Sequence, residues 1–415
     1  MQHFMEFCKK EAVTLIAGLL AFASCFVIPP SAEYMGYINW SVLALLFCLM
    51  TVSAGLRAAG AFDWLCGKLL RVCRTELGTE LSLEILCFFL AMLLTNDVTL
   101  VTVVPFTLLV WRKMRAASGS LIRTLVMETV AANLGSMLTP FGNPQNLYLY
   151  SAYGFSIADF LRVMFPYAAA SFALILAATV GMAKGEKERQ GQQDQGQETA
   201  VSSGGEVKEG ISGEMGRGAR IPERRPDHWK GTGNETTDEA PPMDHRKIAL
   251  YTALFAFAVL SVIHVVSTPV MFAVITLAVL LSDRALFRTV DYSLLLTFVF
   301  FFVFIGNIGK VPSFSAWLSG VMQGREMICA ILASQVISNV PAALLLSGFT
   351  ADGTSLLIGT NLGGLGTLIA SMASRITYKL YAAEQDAETG RYFALFTAVN
   401  VFFLLILTGL ALFLK

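Results

Sequence analysis

The chain has 415 residues, of which 55% are hydrophobic and only 14% are charged, and its formal net charge is zero. Soluble globular proteins carry about 25% charged residues, so this composition excludes a soluble globular protein. A net charge of zero gives no general attraction to nucleic acid, and no nucleic-acid partner is expected. The composition is typical of an all-α polytopic membrane protein.

Apolar segments long enough to cross a bilayer recur through most of the chain, each needing about 20 residues. The first follows Lys9 and Lys10 and has some features of a signal peptide. It lacks a convincing small-residue cleavage site, so it is interpreted as the first membrane span. The predicted continuous spans are residues 12–28, 40–56, 160–182, 248–266, 268–281, 292–308 and 392–414.

Four further apolar segments are interrupted. Segments 121–150 and 355–381 are broken by glycines and polar residues, whereas 81–111 and 327–348 are apolar on both sides of a short polar tip. Backbone that is not helical at membrane depth must pack against protein or line a cavity. The two tips and the two glycine-broken helices are therefore the predicted binding region.

Residues 183–247 differ in composition from the rest of the chain. They are rich in Gly, Glu, Gln, Lys, Arg and Pro and almost lack branched aliphatic residues. Such a segment cannot bury enough apolar area to offset its chain entropy, which predicts a disordered linker. A regulatory or partner-binding segment is the alternative. The linker would separate a first transmembrane repeat (1–182) from an extra helix and a second repeat (248–415).

Three short stretches occur in the same order on both sides of this linker. Paired, interrupted hydrophobic segments at corresponding places are typical of the binding site of a transporter. The matched stretches begin at Asn39 and Asp291, at Thr95 and Ser338, and at Asn133 and Asn361.

The number of crossings determines how the two repeats are related. If both tips belong to re-entrant hairpins, five crossings separate the first helix from segment 268–281, and the repeats are inverted; if the hairpins span, the repeats are parallel. The inverted arrangement puts fifteen Lys and Arg residues outside the linker on one side, and only Arg162, Lys310, Arg325 and Lys415 on the other. By the positive-inside rule, the N-terminus and linker are cytoplasmic and the C-terminus is outside, in a plasma membrane or bacterial inner membrane.

The polar residues at the breaks are the candidate ligands. Unpaired backbone groups at a helix break, together with Asn and Thr oxygens, can coordinate an ion or a carboxylate, and half-helix N-termini favour anions. No catalytic residue and no cofactor are predicted. The predicted substrate or ion site comprises Thr95, Asn96, Asp97, Asn133, Gly135, Thr139, Gly142, Asn143, Ser338, Asn339, Asn361, Gly363 and Thr367.

Asp97 is the carboxylate that this interpretation places deepest in an apolar setting. A charged Asp at a helix centre costs about 2.5–3.5 kcal/mol on insertion scales, so membrane carboxylates are usually functional. Asp97 could ligate a cation or carry a proton, and a helix cap at the tip is the alternative. Glu128 is interpreted as a packed or interfacial carboxylate, and Arg375 as a positive-inside anchor, with an anion contact in the inner vestibule as its alternative.

The stretch Thr-Pro-Phe-Gly-Asn-Pro-Gln-Asn at 139–146, together with Thr95–Val98 and Val104–Pro105, resembles the citrate transporter-like and arsenite-permease-like anion permeases. These permeases are related to the divalent anion–sodium symporters, in which a Ser-Asn-Thr triplet at each tip binds carboxylate and helps to hold sodium. Here Asp97 and Val340 occupy the third positions of the triplets, a departure from that pattern.

The resemblance implies a homodimer, in which an elevator-like transport domain moves against a fixed scaffold. It also implies sodium at Asn96, Gly135, Asn339 and Gly363. The predicted function is secondary-active transport of a small carboxylate or oxyanion, coupled to sodium or protons. A sodium/proton antiporter is the first alternative, and a receptor or scaffold acting through the linker is another. An intramembrane enzyme is disfavoured because HExxH, GxSxG and paired catalytic aspartates are missing from the spans.

Overall fold

The computed structural model describes residues 11–70, 75–114, 118–203 and 244–414, and their regular secondary structure is entirely helical. A 3₁₀ helix (Arg284–Thr289) joins the eleventh and twelfth α-helices. The α-helices in chain order are α1 (Ala12–Ser24), α2 (Tyr34–Tyr37), α3 (Trp40–Ala58), α4 (Ala61–Leu70), α5 (Glu76–Leu93), α6 (Asn96–Met114), α7 (Ser118–Ser136), α8 (Pro144–Tyr153), α9 (Ile157–Ser203), α10 (His245–Val262), α11 (Thr268–Ser282), α12 (Tyr292–Ile308), α13 (Pro312–Met322), α14 (Glu326–Ile337), α15 (Asn339–Ser347), α16 (Gly353–Leu362), α17 (Met372–Ala382) and α18 (Thr389–Leu414).

Within the described residues, four helices are long and apolar enough to cross a membrane: α3, the first 30 residues of α9, α10 and α18. Helices α12 and α13 would together form a fifth span, although they meet at a bend of 106°. Helices α1, α11 and α14 are apolar but shorter. The all-helical, membrane-compatible class predicted from composition is confirmed.

Local sequence signals set most of the helix boundaries. Asn39 accepts a hydrogen bond from the backbone N–H of Val42 at 3.1 Å, and Asp291 accepts one from Leu294 at 2.9 Å, so both residues cap the helices that follow them. The predicted span 292–308 coincides with α12. Helix α1 ends at Ser24, four residues before the predicted end, because the chain must leave the α conformation ahead of the prolines at 29 and 30.

The predicted linker is helical in its first third. Helix α9 continues past residue 182 to Ser203, which corrects the expectation of disorder for 183–203. The extension adds Glu, Lys, Gln and Ala, all good helix formers, to a helix that is already nucleated, so it needs no core of its own. Residues 204–243 lie outside the described part of the chain. At the far end, Asp244 caps α10 through the N–H groups of Arg246 and Lys247.

The helices before and after the linker pack in corresponding sets. Helices α5, α6 and α7 contact one another, as do α14, α15 and α16. Two kinds of contact connect the sets: α1 packs on α12 while α11 packs on α3, and α17 packs on α6 while α8 packs on α15. These contacts between helices on opposite sides of the linker bring the two tips and the two helix breaks together in the protein interior.

Candidate functional site

The first tip separates α5 from α6. Leu94 leaves the helical conformation, the Thr95 hydroxyl caps the N–H of Val98 at 3.3 Å, and α6 begins at Asn96. The backbone N–H of Asn96 donates to the carbonyl of Gly142 at 3.2 Å. The tip is therefore fastened to the segment that precedes α8.

The second tip, between α14 and α15, is fastened in the same way. The backbone N–H of Asn339 donates to the carbonyl of Ala370, just before α17, at 2.9 Å. The Ser338 hydroxyl donates to the same carbonyl at 3.3 Å, and Ser338 has a φ of +76°. A positive φ is uncommon for a residue other than glycine, and it is tolerated when surrounding contacts hold the residue in place.

One threonine links each broken helix to its neighbouring tip. The Thr139 hydroxyl donates to the carbonyl of Met92 at 2.5 Å, and the Thr367 hydroxyl donates to the carbonyl of Gln335 at 3.2 Å. Met92 and Gln335 occupy the same position relative to the tip asparagine that follows them. These hydroxyls are used to satisfy helix-terminal carbonyls, so Thr139 and Thr367 hold the breaks together.

Asn133 of α7 is bonded to the other half of the chain. Its side-chain oxygen accepts from Asn96 at 3.1 Å and from the Ser371 hydroxyl at 2.9 Å, while its amide approaches the Ser374 hydroxyl at 3.4 Å. Asn133 is about 5% exposed. It therefore joins the first tip to the beginning of α17 inside the protein.

Asn361 of α16 makes the reciprocal connection. Its side-chain oxygen accepts from Asn143 at 3.1 Å, and its amide donates to the side-chain oxygen of Asn146 at 2.6 Å. Asn146 in turn donates to carbonyls in the break after α7, including that of Thr139 at 3.1 Å. We call these two reciprocal connections the asparagine cross, formed by Asn96, Asn133, Asn143, Asn146, Asn361, Ser371 and Ser374.

The predicted glycines allow close packing at the breaks. A Cβ at Gly135 would lie 2.1 Å from the backbone oxygen of Phe88, and one at Gly142 would lie 2.1 Å from that of Ser136. A Cβ at Gly363 would lie 2.6 Å from the Ser334 hydroxyl. The absence of a side chain is what permits these approaches.

Both tips open onto adjoining cavities. A cavity of about 230 Å³ is lined by Thr95, Asp97 and Asn143. A second cavity, of about 520 Å³, is lined by Ser338 and by the basic side chains of α17. The two cavities share four lining residues, Asp291, Leu294, Met372 and Ile376. Asn96, Asn133, Asn339 and Asn361 lie behind these walls in the protein interior.

Charged groups of both signs face this space. Arg375 is half-buried and lines the second cavity together with Lys379. Arg57 lines the first cavity. Asp97 also lines the first cavity, and its Oδ1 atom is buried without a hydrogen-bond partner.

Sequence reasoning missed several members of the network. Ser371 and Ser374 follow Asn361 at the spacings with which Asn143 and Asn146 follow Asn133, so extending the repeat would have found them. Gln335 was also missed: its amide donates to the carbonyls of Gly363 at 3.0 Å and Leu365 at 2.8 Å. Nothing in the sequence marks this glutamine.

A buried cluster of charged residues on α5 and α7 was also missed, apart from Glu128. Glu80, Glu84 and Glu128 are fully buried, and Arg123 is 7% exposed. Arg123 forms two hydrogen bonds of 2.8 Å with Glu80 and also pairs with Glu186. The available signal was the spacing of Glu80 and Glu84, which puts two acids on one face of an apolar helix.

The citrate transporter family model matches residues 5–353 of this chain. An uncharacterized transporter of Methanocaldococcus jannaschii is 29% identical over 382 residues, which cover 91% of each chain. The inner membrane protein YbiR of Escherichia coli is also 29% identical over 382 residues, covering 91% of this chain and 90% of that protein. A putative transporter, arsB, of Dictyostelium discoideum is 27% identical over 153 residues, 37% of this chain and 26% of that protein.

Proposed function

The chain belongs to the citrate transporter family, so it is a membrane-embedded transporter and not an enzyme, and we propose that it carries a small carboxylate or oxyanion by secondary-active transport. The observation that carries this proposal is the convergence of both tips on adjoining cavities. Citrate is the first substrate to test because the family model bears its name.

The local electrostatics support an anionic substrate. Helices α6, α8, α15 and α17 all begin at the tips and breaks, so four helix N-termini meet in this region. The N-terminus of a helix carries a partial positive charge and free N–H groups, which favour anions. Arg375 and Lys379 supply positive charges to the wall that contains Ser338, which also carries Glu11 and Asp291, so the argument for an anion rests on the helix N-termini together with these two cations.

The proposed architecture is a pair of inverted repeats. The tips are re-entrant, the N-terminus and the 183–247 segment are cytoplasmic, and the C-terminus is outside. The reciprocal packing of α1 with α12 and of α11 with α3 supports a two-fold relation between the halves. The asparagine cross joins the first tip to α17, and the second tip bonds to Ala370 just before α17, so both tips are held in one body, as an elevator-like transport domain requires. Two such chains would form a homodimer.

The coupling ion is proposed to bind at the same breaks. Sodium would be held by groups of Asn96, Gly135, Asn339 and Gly363, and Asp97 would handle a cation or a proton. The unpartnered Oδ1 of Asp97 supports this role, because a buried carboxylate oxygen needs a positive partner or a proton. The same atom favours a sodium/proton antiporter as the second candidate function.

A binding assay on the purified full-length protein tests these proposals. We expect citrate or another small anion to raise the melting temperature by mass action, and sodium to increase that shift if it is the coupling ion. Stabilisation by sodium or by pH alone, with no response to any anion, would instead support the antiporter.

Two asparagine variants test the site itself. Asn96→Ala and Asn339→Ala should abolish uptake into proteoliposomes while the protein still folds. Asn400→Ala is the matched control, because Asn400 is a buried asparagine of α18 whose one side-chain hydrogen bond within the described residues is to the carbonyl of Phe396 in its own helix. Normal uptake by both tip variants would refute the site assignment.

A further inference from the structure

The buried charged residues of α5 and α7 do not balance in charge. Glu80, Glu84 and Glu128 are fully buried between α5 and α7, whereas Arg123 is the one cation among the described residues that hydrogen-bonds any of them. The guanidinium of Arg123 is already shared between Glu80 and Glu186. Two carboxyl groups, those of Glu84 and Glu128, are left without a counterion.

Each of these two carboxyl groups has one satisfied and one unsatisfied oxygen. The Thr179 hydroxyl of α9 donates to Glu84 Oε2 at 2.7 Å, and the Thr107 hydroxyl of α6 donates to Glu128 Oε1 at 2.5 Å. Glu84 Oε1 and Glu128 Oε2 are buried and have no hydrogen-bond partner. An unpaired neutral hydroxyl costs far less to bury than an unpaired negative charge.

The other titratable groups buried beside Glu84 and Glu128 carry no positive charge. Cys66 of α4, Cys87 of α5 and Tyr392 of α18 are buried and ordinarily neutral at pH 7. The cation Arg391 of α18 lies at the more exposed end, where it hydrogen-bonds to Glu388 at 3.4 Å and lies, like Glu186, beside Gly119. No group of three or more His, Cys, Asp or Glu side chains in the described ranges is arranged to hold a metal ion.

We propose that Glu84 and Glu128 form a buried proton-binding site, in which both are protonated carboxylic acids at neutral pH. The protons reside on Glu84 Oε1 and Glu128 Oε2, the two oxygens without partners. They come from water at the end of the cluster where Glu186 is partly exposed. This site is separate from Asp97 and from the cavities, and it does not depend on which solute is transported.

Infrared spectroscopy of the full chain in liposomes tests the site without any substrate. A protonated carboxylic acid has a C=O stretching band distinct from that of a carboxylate. We expect this band at neutral pH, a shift to lower frequency in D₂O, and its loss at strongly alkaline pH. Glu84→Gln and Glu128→Gln should each remove part of it, and the double variant should remove the contribution of both.

Three further variants assign the band to individual carboxyl groups. Asp97→Asn identifies any contribution of Asp97 to the same band. Glu84→Asp and Glu128→Asp keep the acid and should change the position of the band, and they serve if a glutamine variant does not fold. The proposal is overturned if wild-type protein lacks the band at neutral pH, or if neither glutamate contributes to it. A failure to find a transported anion would leave the infrared result unaffected.

Discussion

The two halves of the molecule share the asparagine cross but differ in their buried charged side chains. In the first half, α5 buries Glu80 and Glu84, and α7 buries Arg123 and Glu128. The residues at the same distances along the chain from the matched asparagines of the second half are Gln323, Met327, Ala351 and Leu356, and Val340 stands where the first tip has Asp97.

This difference shows that satisfying the hydrogen bonds of a helix break and burying charged side chains are separate features of the fold. A break in a membrane helix exposes amides and carbonyls wherever it occurs, so both halves need side-chain partners and both supply Asn, Ser and Thr. Buried charge is not needed to satisfy a break. Among the described residues, four buried charged side chains cluster in the first half, whereas the second half buries one, Glu326, which accepts a hydrogen bond from the backbone N–H of Gly324 at 3.0 Å.

The largest effect is expected at Arg123, whose ion pair has no counterpart in the second half. Arg123→Gln leaves Glu80 buried without its cation, and breaking a buried ion pair in this way costs about 3–5 kcal/mol. We expect a large loss of stability in detergent, measured as the free energy of unfolding.

The double variant Arg123→Gln with Glu80→Gln should recover much of that loss, because neither residue then carries an unpaired charge. Arg162→Gln is the control, since Arg162 is exposed and forms only a surface pair with Asp159. A stability of Arg123→Gln equal to that of wild type would mean that the ion pair contributes nothing, and that the asymmetry between the halves has no energetic consequence.

The second effect compares the matched glycines of the two broken helices. At Gly135 an added Cβ meets a backbone oxygen at 2.1 Å, whereas at Gly363 the nearest atom, at 2.6 Å, belongs to the Ser334 side chain. Overpacking costs about 1–3 kcal/mol, and we expect Gly135→Ala near the top of this range and Gly363→Ala below it. The melting temperatures of the two variants show which substitution is more destabilising.

Gly181→Ala provides the reference for these two glycines. Gly181 lies in α9, and a Cβ there meets no atom within 4 Å. Alanine is a better helix former than glycine by about 1 kcal/mol, so this variant should be neutral or stabilising. Equal melting temperatures for all three variants would show that the breaks are not closely packed.

The sequence predicted the helices and their interruptions well, because both leave local signals. The polar tips at Asn96 and Asn339 lie at helix boundaries, and the glycine-containing stretches after Asn133 and Asn361 are breaks. The partners across the interior could not be predicted in the same way. The repeat could have identified Ser371 and Ser374 as candidates, but their contact with Asn133 depends on how α7 and α17 meet, and no local pattern encodes that distance.

The charged cluster and the extension of α9 were missed for a related reason. Glu80 and Arg123 are far apart in the sequence and look like interfacial charges until α5 is packed on α7. Residues 183–203 were predicted to be disordered because they have too few apolar side chains to form a core of their own. It is helical in the structure because it continues an existing helix.

The smallest effect is expected within the asparagine cross, at Ser371. Its hydroxyl is one of two donors to the side-chain oxygen of Asn133, and Asn96 remains when it is removed. A typical intramolecular hydrogen bond contributes about 0.5–1.5 kcal/mol, so we expect Ser371→Ala to lower the unfolding free energy by about 1 kcal/mol.

A double-mutant cycle shows whether that energy belongs to the cross. Ser371→Ala and Asn133→Ala remove the same bond, so their combined effect should be smaller than the sum of the single effects. Ser371→Ala and Asn400→Ala share no hydrogen-bonding partner and should add. Simple additivity in both pairs would mean that Asn133 and Ser371 do not interact energetically. The connection between Asn133 and α17 would then depend on Ser374 alone, and the bonds of Asn361 with Asn143 and Asn146 would be the main link between the two halves.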